Sequence, residues 1–104
     1  MKRRIPKRND VLELARKLFA KGAYVVSSHA KLRQNERNFS IGDIEGILSN
    51  GHYEPRKDEY KEEHDDWNYA IRGHSLDGER ARLCIAFDRE SLVIIITVIR
   101  LERN

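Results

Sequence analysis

The last third of the chain narrows its fold more than any other part. Three segments rich in β-branched and aromatic residues follow one another there: Trp67 to Leu76, Arg80 to Phe87 and Leu92 to Leu101. Only short turn signals part them, Asp77-Gly78 and then Asp88-Arg89-Glu90-Ser91. Connections this short cannot make a crossover, so the three strands must fold back on each other as an antiparallel meander. Register then decides which side chains share a face. A two-residue Asp77-Gly78 loop would set Arg72 beside Leu83 and mix polar with apolar. A three-residue loop, Asp77-Gly78-Glu79, predicts Tyr69 opposite Phe87, Ile71 opposite Ile85 and Gly73 opposite Leu83. One apolar face results, which Leu92, Ile94, Ile96 and Val98 join from the last strand. The other face carries Asn68, Arg72, His74, Arg80, Arg82 and Cys84, with Thr97 beyond. Val93, Ile95 and Ile99 are expected to make that second face half apolar, so a partner should cover part of it.

The upstream half supplies the layer that packs on the apolar face. Val11, Leu12, Leu14, Ala15, Leu18 and Phe19 recur at helical spacing, with Asp10 and Glu13 as a capping-box pattern and Gly22 as the stop. Tyr24 to Ser27 reads as a short strand. Ser28 would cap a second helix through Lys31 to Arg37. Ser40 and Asp43 would cap a third, with Ile41, Ile44, Ile47 and Leu48 on one side and Asn50-Gly51 as the stop. His52 to Asp58 reads as an edge strand, where Pro55 can be tolerated, and the acidic stretch after it as a loop. The expected architecture is α+β, with N-terminal helices packed on one face of a C-terminal antiparallel meander. At 104 residues one core is all the chain can build. Residues 1–8 hold five bases and Pro6 and read as a basic flexible arm, with 9–104 as a single domain.

Charge is segregated. Asp58 to Asp66 holds six acids and one lysine, so a net charge of +3 for the chain becomes +8 outside that stretch. A polyanion partner follows naturally, because phosphate neutralisation supplies most sequence-independent affinity for nucleic acid. The single cysteine, Cys84, excludes an intramolecular disulfide and a cysteine-built zinc site. No apolar run is long enough to span a membrane. The basic start lacks the apolar stretch of a secretory signal. A cytoplasmic protein is expected.

Three arginines and a histidine on one sheet face form the sharpest local signal. Cleaving RNA without a metal needs a base for the ribose 2′-hydroxyl, an acid for the leaving 5′-oxygen and cations for the charge on phosphorus oxygens. Arginine suits the last task because its planar fork grips phosphate at two points and stays charged. Histidine, with a reference pKa of about 6.5, suits the first two. Arg72, Arg82 and His74 are the catalytic candidates on the sheet, and Asn68 and Arg80 flank them. His29, Arg33 and Arg37 follow helical spacing and offer a base and two phosphate ligands from a neighbouring helix. Solvated ion pairs with the acidic stretch would account for the same residues. Glu63-His64-Asp65-Asp66 is rich in ligand types but lacks the spacing of a zinc site, so neither metal nor cofactor is expected.

Ser28-His29-Ala30-x-x-Arg33-x-x-Glu36-Arg37, Phe39-Ser40-x-x-Asp43-Ile44 and Leu48-x-x-Gly51 together resemble a small bacterial family close to the BrnT toxins. Trp67-x-Tyr69-x-Ile71-x-Gly73, Arg82-Leu83-Cys84-Ile85 and Val93 to Val98 fit the same family, which sits in the wider RelE/ParE toxin group. The layout also looks like MqsR. The resemblance spans the chain from about residue 8. It implies a RelE-like fold, a metal-independent endoribonuclease toxin acting on mRNA, free or on the ribosome, and a co-encoded antitoxin that neutralises it. The MqsR pattern has a polar amide where Asn68 stands, a tyrosine at the position of Arg82 and a lysine near that of Arg100. Arginine is no ordinary proton donor or acceptor, so His74 and His29 take those roles and Arg100 joins the RNA-binding set. A non-catalytic binding module of the same fold, or a homodimer through the half-apolar face, is the rival reading.

Overall fold

A computed structural model describes residues 4–28, 30 and 39–101. In chain order these form α1 (Val11–Ala20), β1 (Tyr24–Val26), α2 (Ile41–Asn50), β2 (His52–Tyr53), a 3-10 turn (Pro55–Lys57), β3 (Glu59–Lys61), β4 (Asp66–His74), β5 (Arg80–Asp88) and β6 (Leu92–Arg100). The protein is α+β. The strands make a mixed six-stranded sheet in the order β1-β6-β5-β4-β2, and β3 also pairs with β4. The three C-terminal strands are the antiparallel meander that their turn signals require. Parallel pairing of β1 with β6 adds a strand the sequence reading does not place, with Tyr24 at Val93 and Val26 at Ile95.

Both described helices pack on one face of the sheet. Val11, Ala15, Leu18 and Phe19 of α1 join Ile44, Ile47 and Leu48 of α2 over Ile71, Leu83, Ile85, Val93, Ile95 and Val98. Each end of α2 follows from its sequence. Ser40 Oγ accepts from the Asp43 amide at 3.0 Å and the Asp43 carboxylate accepts from the Ser40 amide at 2.8 Å, the expected capping box. For α1 the expected side-chain cap is not made: Asp10 Oδ1 accepts from Arg8 Nε at 3.0 Å instead. The second helix, expected through Lys31 to Arg37, lies outside the described residues. Just before it, Ser27 Oγ rather than Ser28 accepts from the Ala30 amide, at 3.1 Å.

The meander's register is two residues off the expected one: Tyr69 pairs with Ile85, Ile71 with Leu83 and Gly73 with Ala81. The loop still has three residues, but they are Leu76, Asp77 and Gly78. Ser75 and Glu79 close it through the Ser75 amide and the Glu79 carbonyl at 2.9 Å. Gly78 has φ +80°, and in a three-residue hairpin the left-handed position comes last, after a type I turn. A shift of two preserves the faces. A second departure does not. Cys84 pairs with Thr97 but Ile85 with Ile95, so Ile96 is the extra residue of a β-bulge. Before the bulge the alternation runs in the other phase, so Val93 and Ile95 are buried in the core and Leu92, Ile94 and Ile96 are not.

The edge beyond β4 is broken where Pro55 stands. Pro55 has no amide hydrogen to donate to a ladder and opens a 3-10 turn. Pairing with β4 stops after the Glu54 amide meets the Ala70 carbonyl at 2.8 Å and resumes at Glu59 opposite Asn68. The Ala70 amide, left without a backbone partner, donates to Asp58 Oδ1 at 3.0 Å. Part of the acidic stretch, Glu59–Lys61 and Asp66, is therefore strand, and residues 62–65 are the turn between. The basic lead-in contacts this same edge from residue 4 onward. Trp67 Nε1 donates to the Ile5 carbonyl at 2.7 Å, the Arg8 amide donates to the Tyr69 hydroxyl at 3.0 Å, and Lys7 Nζ lies 3.0 Å from the Asp58 carboxylate.

Candidate arginine and glutamate site on the open sheet face

Strand alternation puts Asn68, Ala70, Arg72 and His74 of β4 on the face away from the helices, with Arg80, Arg82 and Cys84 of β5. Arg72 pairs with Arg82 and His74 with Arg80 in the ladder. Two guanidinium groups directly opposite each other repel, and β2 supplies the remedy. His52 pairs with Arg72 while Tyr53 packs against the core, so Glu54 returns to the open face two residues after His52. Glu54 Oε1 accepts from Arg82 Nε at 2.9 Å, and Glu54 Oε2 lies 3.6 Å from Arg72 Nη1. One carboxylate, 11% exposed, thus holds both arginines.

Burial pushes the Glu54 carboxyl up, but the hydrogen bond from Arg82 and the charges of Arg82 and Arg72 outweigh it, leaving it below the ordinary glutamate value. Glu54 stays ionised through the neutral range. Each guanidinium has five N–H donors. Glu54 occupies few of them, so phosphate-binding capacity remains on both arginines. Cys84, next to Arg82 on β5, behaves in the opposite way. Burial raises its thiol pKa, and Arg82 offsets only part of the rise, so it is no ready nucleophile.

His74 is exposed at the end of β4, and its backbone is fixed by α2. The Asn50 side chain donates to the His74 carbonyl at 3.1 Å and accepts from the His74 amide at 2.9 Å, imitating a neighbouring strand. A hollow of about 140 Å³ lies there, lined by Asn50, His52, Arg72, Gly73, His74 and Arg80. Four of the sequence candidates, Arg72, His74, Arg80 and Arg82, therefore come together. Asn68 shares their face but lies farther along β4, opposite Glu59 of β3. Arg100 pairs with Ala81, on the opposite alternation, and sits at the sheet end with its Nε 2.6 Å from Glu79. His29, Arg33 and Arg37 lie outside the described residues. Among the described residues no three His, Cys, Asp or Glu side chains come close enough to hold a metal ion.

Glu54 and His52 are absent from the sequence candidates. A signal existed in principle: arginines expected on one face of two adjacent strands call for a carboxylate from the next strand outward. Finding it requires the pairing of β2, which the sequence places only as an edge. The match to known families covers residues 26–100, most of the chain and all of this site, and its family model is described as Domain of unknown function (DUF4258). No curated protein and no solved structure matches the chain.

Proposed function

As a member of the DUF4258 family, whose description assigns no activity, the chain has to be read from its own site, and we propose that it is a metal-independent endoribonuclease of the RelE-like toxin type. One observation carries the reading: a single ionised carboxylate, Glu54, set between Arg72 and Arg82 on an open sheet face whose rim holds His52 and His74. The group contains each part that 2′-hydroxyl transesterification needs. Arg72 and Arg82 bind the non-bridging oxygens of the scissile phosphate and stabilise charge there. Glu54 accepts the 2′-hydroxyl proton as the 2′-oxygen attacks phosphorus. The bond from phosphorus to the 5′-oxygen breaks, and His74 gives that oxygen its proton. The products are a 2′,3′-cyclic phosphate and a 5′-hydroxyl. Arg80 and Asn68 contact the flanking backbone, and the basic balance of the chain draws RNA in.

Under this reading the substrate is mRNA, free or on the ribosome, and a co-encoded antitoxin covers the open face. No helix among the described residues is long and apolar enough to cross a membrane, which is compatible with a cytoplasmic enzyme. Ile99, opposite Arg82, with the half-buried Ile94 and Leu92 farther along β6, supports a protein cover on this face. The deciding experiment incubates purified protein with a 5′-labelled structured RNA in EDTA and identifies fragment ends. Cyclic-phosphate ends that disappear in Glu54→Gln, Arg82→Ala and His74→Ala are expected. RNA that stays intact, with or without ribosomes, would replace the enzyme by a binding module that uses the arginine face for docking.

A further inference from the structure

A second hollow, of about 530 Å³, lies at the end of the β4–β5 hairpin, with His74, Glu79, Arg80, Arg100 and Leu101 in its walls. It meets the smaller one at His74 and Arg80, which line both. We infer that it is the base subsite for the RNA strand whose phosphate lies on Arg72 and Arg82, and that it takes guanine; the inference rests on the proposed nuclease reading and names its sequence preference.

The chemistry comes from one ion pair. Arg100 Nε lies 2.6 Å from Glu79 Oε2 as an ion pair, and both side chains are 43% exposed. An exposed pair of this kind adds little to folding, so a ligand can open it at small cost. Guanine alone among the four bases presents two acceptors on one edge, O6 and N7, and a row of N–H donors on the other. The first edge fits an arginine fork and the second a carboxylate. Adenine offers one donor and one acceptor on the edge facing the arginine, and its other edge lacks paired donors for Glu79. A pyrimidine cannot reach both partners.

The walls suit a flat ring. Leu101 brings an apolar side chain, and its amide is tied to the Arg80 carbonyl at 2.9 Å. Asp77 and Gly78 also line the hollow, with nothing within 4 Å of where a Cβ on Gly78 would stand. A volume of this size is in the ordinary range for small-molecule sites. Two residues along a strand advance about 6.7 Å, close to one nucleotide step. A phosphate at Arg72 therefore leaves the neighbouring nucleotide beside His74 and Arg80, at the mouth of this hollow. Glu79 also holds its place without its side chain, since its amide donates to Ser75 Oγ at 3.2 Å and its carbonyl accepts from Ser75.

The test uses labelled pentaribonucleotides made uncleavable by 2′-O-methylation, identical except for G, A, C, U or inosine at the centre. Binding at fixed salt should favour G at least tenfold over A, C and U, with inosine, which lacks the 2-amino donor, in between. In Glu79→Gln the preference should fall below threefold. The ratio is the readout, because removing a negative charge strengthens binding to every pentamer alike. RNA binding with equal affinity for all five, or an undiminished preference in Glu79→Gln, overturns the base subsite and leaves the arginine face standing. Failure to bind any pentamer overturns both.

Discussion

Glu54 and Arg82 are joined by a 2.9 Å hydrogen bond across the broken edge of the sheet, with the two side chains 11% and 18% exposed. That one contact couples folding to the proposed chemistry, because the group that neutralises the arginines is also the group assigned the 2′-hydroxyl proton. Glu54→Ala should destabilise the protein by about 3 kcal/mol, since it leaves two closely set cations without a counter-charge. Glu54→Gln keeps an acceptor for Arg82 and should cost about 1 kcal/mol. Urea denaturation separates the two. The same Gln variant should bind uncleavable RNA more tightly, with the salt slope about one unit steeper, while its cleavage is lost. Weaker RNA binding in Glu54→Gln would mean that RNA needs the arginines held rather than freed.

Acid should unfold the protein through two identified carboxylates. Burial raises the pKa of Asp43, but hydrogen bonds from the Ser40 and Leu76 amides and the Ser40 hydroxyl bring it below its ordinary value, and Glu54 is lowered by its arginines. A carboxyl depressed in the folded state contributes stability above its unfolded pKa and loses it as pH falls through the folded value. The denaturation midpoint should therefore hold from neutrality to about pH 5 and decline below it. Asp43→Asn and Glu54→Gln should each start lower and flatten that decline. A slope unchanged in both variants would place the acid sensitivity elsewhere.

Much of the frame was legible because it is written locally. Ser40, Asp43 and Asn50-Gly51 state where α2 begins and ends, and the alternation of β4 and β5 states which face carries Arg72, His74 and Arg82. The misses share a different cause: each depends on one residue inserted or displaced. A bulge at Ile96 inverts the phase of Val93 to Ile95, and Gly78 at the last loop position rather than the middle slides the register by two. Period counting carries straight through such points. Glu54 was hidden for a third reason. Its importance comes from the pairing of a two-residue strand, which no local pattern specifies.

The junction between α2 and β4 should tolerate almost no added volume. A Cβ on Gly73 would stand 2.7 Å from Asn50 Oδ1 and 2.9 Å from the Ile47 carbonyl. Gly73→Ala should cost about 2–3 kcal/mol by forcing helix and strand apart. Asn50→Ala removes the paired bonds to the His74 backbone and should cost about 1–2 kcal/mol. Amide exchange at His74 should accelerate in Asn50→Ala well before the core opens. Under the nuclease reading cleavage should also slow, because the proton donor is no longer held. Exchange at His74 as slow as in the parent protein would show that the flanking hydrogen-bonded pairs, Gly73 with Ala81 and Ser75 with Glu79, hold the strand end without Asn50.

Asp58 should prove the most sensitive single position on the broken edge. Its side chain is fully buried and answers three donors at once: the Ala70 amide at 3.0 Å, the Tyr53 hydroxyl, and Lys7 Nζ at 3.0 Å. Asp58→Ala strands the Ala70 amide and Tyr53 hydroxyl and should cost about 3–5 kcal/mol. Lys7 is 36% exposed, so water can replace part of its contact, and Lys7→Ala should cost about 1 kcal/mol. The double variant should cost less than the sum, with a coupling of about 0.5 kcal/mol or more. Trp67, the single tryptophan, reports the same contact without unfolding. Lys7 Nζ lies 4.8 Å from its ring centre and the Ile5 carbonyl takes its Nε1 hydrogen at 2.7 Å. Trp67 fluorescence should therefore change in folded Lys7→Ala, while the arginine site, on the other side of β4's break, keeps its RNA affinity. Unchanged emission would mean that the basic lead-in does not rest on the tryptophan in solution, and that Asp58 is held by the sheet edge alone.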